Sequence, residues 1–309
     1  MPRLLCDRRA FIVAGKRSIP LKKQWISMVF VNVMWGLSFI ASKHAMNAGF
    51  TPMMLALFRY IVAAACLVPI TLLTEKRMPL RRQDVIPMIL SGLTGITIYY
   101  FCEYHGIQRT STVNASLILA AIPIMTMLAE AVVYRTRLRP AQVAGAVISL
   151  VGVGLILFSG SNEGQASIVG DLFILGASIV WVAYIFISRK LRGQYSSLNM
   201  NSWQAITALV TLLPLAAGES CDLTAIPWDG WAAMAVLAVI CSAWCYYLYG
   251  NALYEMSPLA SAIFINLIPL TTMVGGVVLL GEKLTWLTVI GGGLVIGSIF
   301  LVNMTEKKA

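Results

Sequence analysis

The feature that most constrains this chain is a succession of ten apolar runs, each long enough to cross a membrane. A helix of roughly 20 apolar residues spans the hydrocarbon core of a bilayer. Lipid offers backbone amides no water, so each run is predicted to be a helix. The expected fold is an all-α integral membrane protein with ten transmembrane helices. The runs cover residues 25–45, 53–73, 85–104, 112–133, 140–158, 170–188, 199–217, 230–250, 259–280 and 285–303.

The distribution of positive charge predicts how these helices are oriented. Charged residues make up only 12% of the chain, about half the share in a soluble domain. The net charge of +10 could suggest nucleic acid, but 19 of the 23 lysines and arginines fall in segments that face one side if the N-terminus is inside. Cytoplasmic loops of membrane proteins carry this excess. Both termini are therefore predicted to be cytoplasmic, and no nucleic-acid partner is expected.

An internal repeat divides the chain into two halves. When the sequence is shifted by 146 residues, Trp35 meets Trp181 and Pro123 meets Pro269. Each half holds five runs, an odd number, so the second half enters the membrane in the opposite sense. Inverted repeats of this kind are typical of alternating-access carriers. The predicted organisation is a cytoplasmic tail at 1–24, five-helix repeats at 25–158 and 170–303, and a cytoplasmic tail at 304–309.

The order of several short motifs resembles the EamA family of the drug/metabolite transporter superfamily. The resemblance covers about residues 25–303 and implies a ten-helix bundle with a central cavity, in a bacterial inner membrane. It implies transport of amino acids, related metabolites or drugs, often by export. One departure is visible, because Thr136 occupies the position equivalent to Glu282, where the family usually has a second glutamate. The matching motifs are Trp35-Gly36-Leu37-Ser38-Phe39, Phe58-Arg59, the stretch from Asn114 to Pro123, and Gly281-Glu282-Lys283-Leu284.

Polar and aromatic residues near the middle of the runs are candidates for a substrate cavity. A tryptophan at mid-membrane beside polar residues suits a cavity wall, since tryptophan otherwise prefers the interface. The alternatives are plain helix packing for the tryptophans and an interfacial aromatic belt for the tyrosines. The candidate substrate-binding residues are Asn32, Trp35, Ser42, Tyr99, Trp181, Tyr246 and Asn266.

Two charged residues are candidates for coupling transport to an ion gradient. A carboxylate at membrane depth normally faces water or a partner, and Glu103 could exchange protons there. A solvated acid at a helix end is the alternative. Arg59 could hold Glu103, a carbonyl group or a substrate carboxylate, or it could snorkel to the outer surface.

Two prolines and a set of glycines suggest how the helices bend and pack. Pro123 and Pro269 fall at the midpoints of the fourth and ninth runs, where proline frees a carbonyl and bends a helix, so they are candidate hinges. The glycines of the fifth and tenth runs allow close approach, as a scaffold or as a homodimer surface.

The sequence contains no HExxH, GxSxG or Walker motif and no metal cluster, so no enzyme activity, cofactor or metal is expected. The predicted function is secondary transport of small organic metabolites by alternating access, with export as the expected direction and a proton as one candidate coupling ion. The expected partners are a small-molecule substrate, the lipid bilayer and, as a hypothesis, a second copy of the chain. The alternatives are a lipid-carrier flippase and a non-transporting membrane scaffold or sensor.

Overall fold

The computed structural model describes residues 21–159, 167–191, 193–249, 264 and 267–306, and these contain helices and no strand. Two segments, π1 (Leu93–Thr97) and π2 (Val236–Trp244), have the wider hydrogen-bonding of a π-helix. The α-helices are α1 (Leu21–Asn47), α2 (Pro52–Glu75), α3 (Val85–Gly92), α4 (Ile98–Arg109), α5 (Thr112–Leu119), α6 (Ile122–Val133), α7 (Pro140–Ser159), α8 (Ile168–Arg189), α9 (Ser197–Ala217), α10 (Trp228–Ala235), α11 (Leu267–Leu280) and α12 (Trp286–Glu306).

Seven helical stretches in the described residues are long and apolar enough to cross a membrane. Two shorter apolar helices, Leu267–Leu280 and Trp286–Val302, coincide with the last two predicted spans. The remaining predicted span coincides with α9, a helix of 21 residues with several polar side chains in its first half. Large apolar side chains such as Leu73 and Val132 point outward, as they do when the surrounding solvent is lipid. The all-α membrane fold is therefore confirmed, while the count of ten crossings stays a prediction.

Equivalent helices of the two halves pack against each other in opposite directions. At one end of the α2–α9 pair, the Ser196 hydroxyl, which caps α9, donates to Glu75 Oε1 at 2.5 Å. At the other end, Glu219 Oε2 accepts from the first-turn amides of Met53 at 2.9 Å and Met54 at 3.3 Å. A glutamate at the end of each helix thus meets the start of the other. This reciprocity is what an inverted repeat requires.

The pair formed by α7 and α12 is equally symmetric and unusually close. A Cβ added to Gly152 would lie 2.6 Å from the carbonyl oxygen of Gly291, and one added to Gly291 would lie 2.6 Å from that of Gly152. No side chain can be placed at either position without moving backbone, so glycine is required there. Gly154 and Gly293 have no heavy atom within 4 Å of such a Cβ and face away from the contact.

The turn between α4 and α5 is held by two charged side chains from distant parts of the chain. Lys43 Nζ donates to the carbonyl oxygens of Ile107 at 2.5 Å and Thr110 at 2.9 Å, at the end of α4. Glu282 accepts from the amides of Thr112 at 2.7 Å and Val113 at 3.1 Å, at the start of α5. Each charge has the sign that the helix dipole favours at that end.

The predicted position of Pro123 within its helix is wrong. The fourth span is broken by a turn at Ala120 and Ala121, and Pro123 is the second residue of α6, where its missing amide costs no hydrogen bond. Pro123 is exposed, whereas Pro269 is buried in α11. The hinge role of the two prolines stays a prediction.

Candidate functional site

A narrow cleft lies between the two halves. The first half contributes residues of α2 and π1, and the second half contributes residues of α8, α9 and the eighth span. Its walls combine aromatic rings with neutral polar groups, which suits an amphipathic small molecule. The lining residues are Tyr60, Ala63, Leu67, Gly95, Ile96, Trp181, Tyr184, Asn201, Gln204, Ser242 and Tyr246.

The cleft walls are built around two segments of π-helix at repeat-equivalent positions. Gly95 and Ile96 of π1, and Ser242 of π2, line the cleft. A Cβ on Gly95 would lie 2.5 Å from the Tyr184 ring, so glycine lets that ring lie against the backbone. The Ser242 hydroxyl donates to the Leu237 carbonyl oxygen, five residues earlier, at 3.0 Å. Short π-helical insertions often occur at functional sites.

Two of the sequence-predicted cavity residues, Trp181 and Tyr246, line the cleft. Trp35 stands behind Tyr246, with ring centres 5.5 Å apart, and its indole N–H donates to the Cys241 carbonyl oxygen at 3.1 Å. Tyr99 packs behind Trp181, with ring centres 4.8 Å apart. Trp35 and Tyr99 therefore position lining residues.

The other predicted cavity residues do not line the cleft in the described part of the chain. Asn32 is fully buried within α1, and its side-chain amide donates to the Met28 carbonyl oxygen at 2.7 Å. Ser42 is also buried and is absent from the cleft walls. Asn266 lies outside the described residues. The substrate-binding roles of all seven residues stay predictions.

Arg59 is buried beside the cleft, with 4% of its surface exposed. Its Nε donates to the hydroxyl of the lining residue Ser242 at 2.6 Å, and its Nη1 donates to the Tyr104 hydroxyl at 2.8 Å. Its guanidinium carbon lies 4.8 Å from the centre of the Tyr100 ring, a cation–π contact. Arg59 does not snorkel to the outer surface.

Glu103 is also buried, with 7% exposed, so it is not a solvated acid at the end of a helix. Its Oε1 accepts from the Tyr99 hydroxyl at 2.9 Å. Among the described residues no ion pair joins Glu103 to Arg59 within 4 Å, although the two interact electrostatically and each bonds to a neighbouring tyrosine of α4. The two coupling candidates thus lie in the same region of the bundle, each with neutral partners.

Several lining residues were missed by the sequence analysis. Asn201 and Gln204 line the cleft and are polar residues within an apolar run, which is the signal in the sequence that points to them. Tyr60 follows Arg59 directly and Ser242 lies in the eighth run, yet nothing in the sequence shows that Arg59 and Ser242 meet.

Away from the cleft, a second buried polar cluster surrounds Asp171. Asp171 lies in the first turn of α8 with 0% exposed. Its carboxylate accepts from the Thr110 hydroxyl at 2.5 Å and the Asn114 amide at 3.4 Å. Asn114, Ser159 and Thr288 continue the network. These bonds connect α5, α7, α8 and α12 and satisfy the buried carboxylate.

Comparisons with known proteins agree on one family. The model of the "EamA-like transporter family" matches residues 22–158 and 168–304. The "Uncharacterized transporter YyaM" of Bacillus subtilis (strain 168) is 26% identical over 279 residues, covering 88% of this chain and 90% of that one. A "Probable terminal-alkyne amino-acid exporter" of Streptantibioticus cattleyicolor is 28% identical over 283 residues, covering 92% of this chain and 94% of that one.

A solved crystal structure shares the fold. It superposes with a TM-score of 0.65 at 18% sequence identity, over 93% of this chain and 98% of that chain.

Proposed function

The chain belongs to the EamA-like transporter family, and we propose that it exports small organic metabolites across the bacterial inner membrane by alternating access through the cleft. It is a multi-pass membrane protein of transporter type, as its apolar helices and its relatives indicate. The substrate class, the direction and the membrane are the parts that we propose.

The observation that supports this mechanism best is the composition of the cleft walls. Both halves contribute lining residues, and the halves are joined by antiparallel pairs of equivalent helices. A site at the interface of inverted repeats is exposed to opposite sides when one half rocks against the other. A scaffold or sensor has no need of a cleft at this interface.

The walls favour a small amphipathic substrate. Tyr60, Trp181 and Tyr246 offer aromatic faces, while Gln204 and Ser242 offer hydrogen bonds. Pockets for small organic molecules combine such apolar walls with a few polar groups that fix orientation.

Two considerations support export. One relative of similar length is named as an amino-acid exporter. With both termini cytoplasmic, as the charge distribution predicts, the lining residues Leu67 and Asn201 fall in the inner halves of their helices. The cleft then lies toward the cytoplasmic side, from which an exporter takes up its substrate.

The test is transport by the purified protein in proteoliposomes, with amino acids and other small metabolites supplied on each side in turn. We expect saturable transport that is at least about tenfold slower in Trp181→Ala. A matched control, Trp228→Ala, removes a tryptophan that is 81% exposed and distant from the cleft walls, and should transport normally. Absence of transport across the panel, or equal loss in both variants, would contradict the proposal.

A further inference from the structure

Arg59 is a buried positive charge whose described partners are all neutral. Its hydrogen bonds go to the hydroxyls of Ser242 and Tyr104, and its guanidinium lies against the Tyr100 ring. None of these groups carries a negative charge in its ordinary state. Burying a cation is costly unless an anion accompanies it, and membrane depth increases that cost.

The described acids do not supply that anion at close range. The ion pairs within 4 Å among described residues are His44–Asp229, His105–Glu219 and Arg189–Glu130, and none of them involves Arg59. Glu103 bonds to Tyr99 instead. Glu103 interacts with Arg59 only at longer range, so the place of a directly contacting anion is left for a bound molecule.

Arg59 lies immediately behind the cleft wall, so a molecule bound in the cleft is close to this charge. Ser242, which accepts the Nε–H of Arg59, lines the cleft, and so does Tyr60, the next residue along α2. The remaining guanidinium nitrogen, Nη2, donates to no described residue. Guanidinium presents two parallel N–H groups in a plane, and a carboxylate matches that geometry with its two oxygens.

We propose that Arg59 is the anion receptor of the cleft and that its ligands are organic carboxylates with an apolar or aromatic body. The carboxylate accepts from Nη2 of Arg59, since Nε and Nη1 already donate to Ser242 and Tyr104, and the apolar body packs against Trp181 and Tyr246. This inference rests on the proposed function, since it names the chemical class of the transported molecule. A planar anion of single charge fits because Arg59 is the one buried arginine or lysine in the described residues.

The first experiment compares two probes of the same shape on the wild-type protein in nanodiscs. Hydrocinnamate carries a carboxylate, whereas hydrocinnamamide replaces it with a neutral amide on an identical phenyl-ethyl body. Isothermal titration calorimetry should show that hydrocinnamate binds at least about tenfold more tightly than hydrocinnamamide. The loss of one charged contact is sufficient for a tenfold change in affinity. Equal affinity for the two probes would overturn the proposal.

The second experiment assigns the preference to Arg59. Arg59→Lys keeps the charge but loses the planar fork, and Arg59→Gln loses both, so the carboxylate preference should fall stepwise in that order. Arg109→Gln is the matched control, since Arg109 is exposed and lies against Phe173 outside the cleft walls. Folding of each variant is checked by its melting temperature. A carboxylate preference retained in a folded Arg59→Gln would overturn the assignment, and Arg59→Lys provides the test if Arg59→Gln does not fold.

Transport assays separate this inference from the proposed function. Transport of both probes at equal rates would leave the transporter in place and overturn the role of Arg59. Selective binding of hydrocinnamate without transport of any metabolite would support the anion receptor and contradict the transporter.

Discussion

Replacing Glu282 with glutamine tests whether a motif residue of the family acts as a helix cap. The first turn of α5 has four amides to satisfy. Those of Thr112 and Val113 donate to the two carboxylate oxygens of Glu282, that of Asn114 donates to the Ser111 hydroxyl, and the next donates to the Ser111 carbonyl oxygen. Thr112 and Val113 are buried, so water cannot replace the lost acceptor.

The size of the effect follows from these bonds. Glutamine offers one amide oxygen, so one buried N–H loses its acceptor at a cost of about 1–3 kcal/mol. The other bond loses its charge assistance, and the favourable interaction with the helix dipole, about 0.3–1 kcal/mol, disappears. The expected loss is about 2–3 kcal/mol of stability, which corresponds to a melting temperature lower by roughly 5 °C.

The assay is thermal unfolding of the purified protein in detergent, followed by the fluorescence of its tryptophans. Lys283→Gln is the matched control, because it changes the charge of an exposed neighbour in the same motif and should leave the melting temperature within about 1 °C. If Glu282→Gln and Lys283→Gln unfold at the same temperature, the capping role is refuted and the family motif needs another explanation.

Three further predictions concern coupling, packing and topology. Glu103→Gln keeps the hydrogen-bonding capacity that Tyr99 uses but removes proton exchange, so transport in vesicles should lose its response to an imposed pH gradient; an unaltered response would exclude Glu103 from coupling. Gly152→Ala should destabilise the protein by about 1–3 kcal/mol in thermal unfolding, because the added methyl group meets the backbone of α12. Gly154→Ala should unfold like the wild type. Equal melting temperatures for the two variants would contradict the close packing of α7 and α12. Reporter fusions after Glu163 and after Ala309 should report opposite sides of the membrane, and a shared side would disprove the predicted orientation.

The helices were predictable from the sequence because lipid leaves the backbone only one simple solution. The inverted sense of the second copy also followed, since each half has an odd number of spans, but the pairing of α2 with α9 was not predicted. The break before Pro123 did not follow, because a proline in an apolar run is compatible with either a kink or a new helix start. The apolar runs cannot reveal π1 and π2 either. A π-helical turn has one more residue than an α-helical turn, but its apolar composition is the same.

The candidate site was predictable only in part, for a related reason. Trp181 and Tyr246 were found because aromatic residues at mid-membrane are conspicuous, and both line the cleft. The contact between Arg59 and Ser242 joins residues 183 positions apart. Such a contact depends on how the two halves dock, and no local pattern in the sequence encodes it. The sequence shows that Asn201 and Gln204 are polar, but it does not show which way their side chains point in the bundle.

The reciprocal bonds between α2 and α9 have a consequence for how such a chain could arise. A polypeptide consisting of the first half alone would begin α2 with the amides of Met53 and Met54 lacking the acceptor that Glu219 provides. Its own Glu75 would lack the hydroxyl of Ser196. Two copies inserted in opposite orientations could provide each other's missing hydrogen-bond partners at both ends of α2. The fused gene therefore guarantees one copy in each orientation, and separately expressed halves should assemble only when they are produced together.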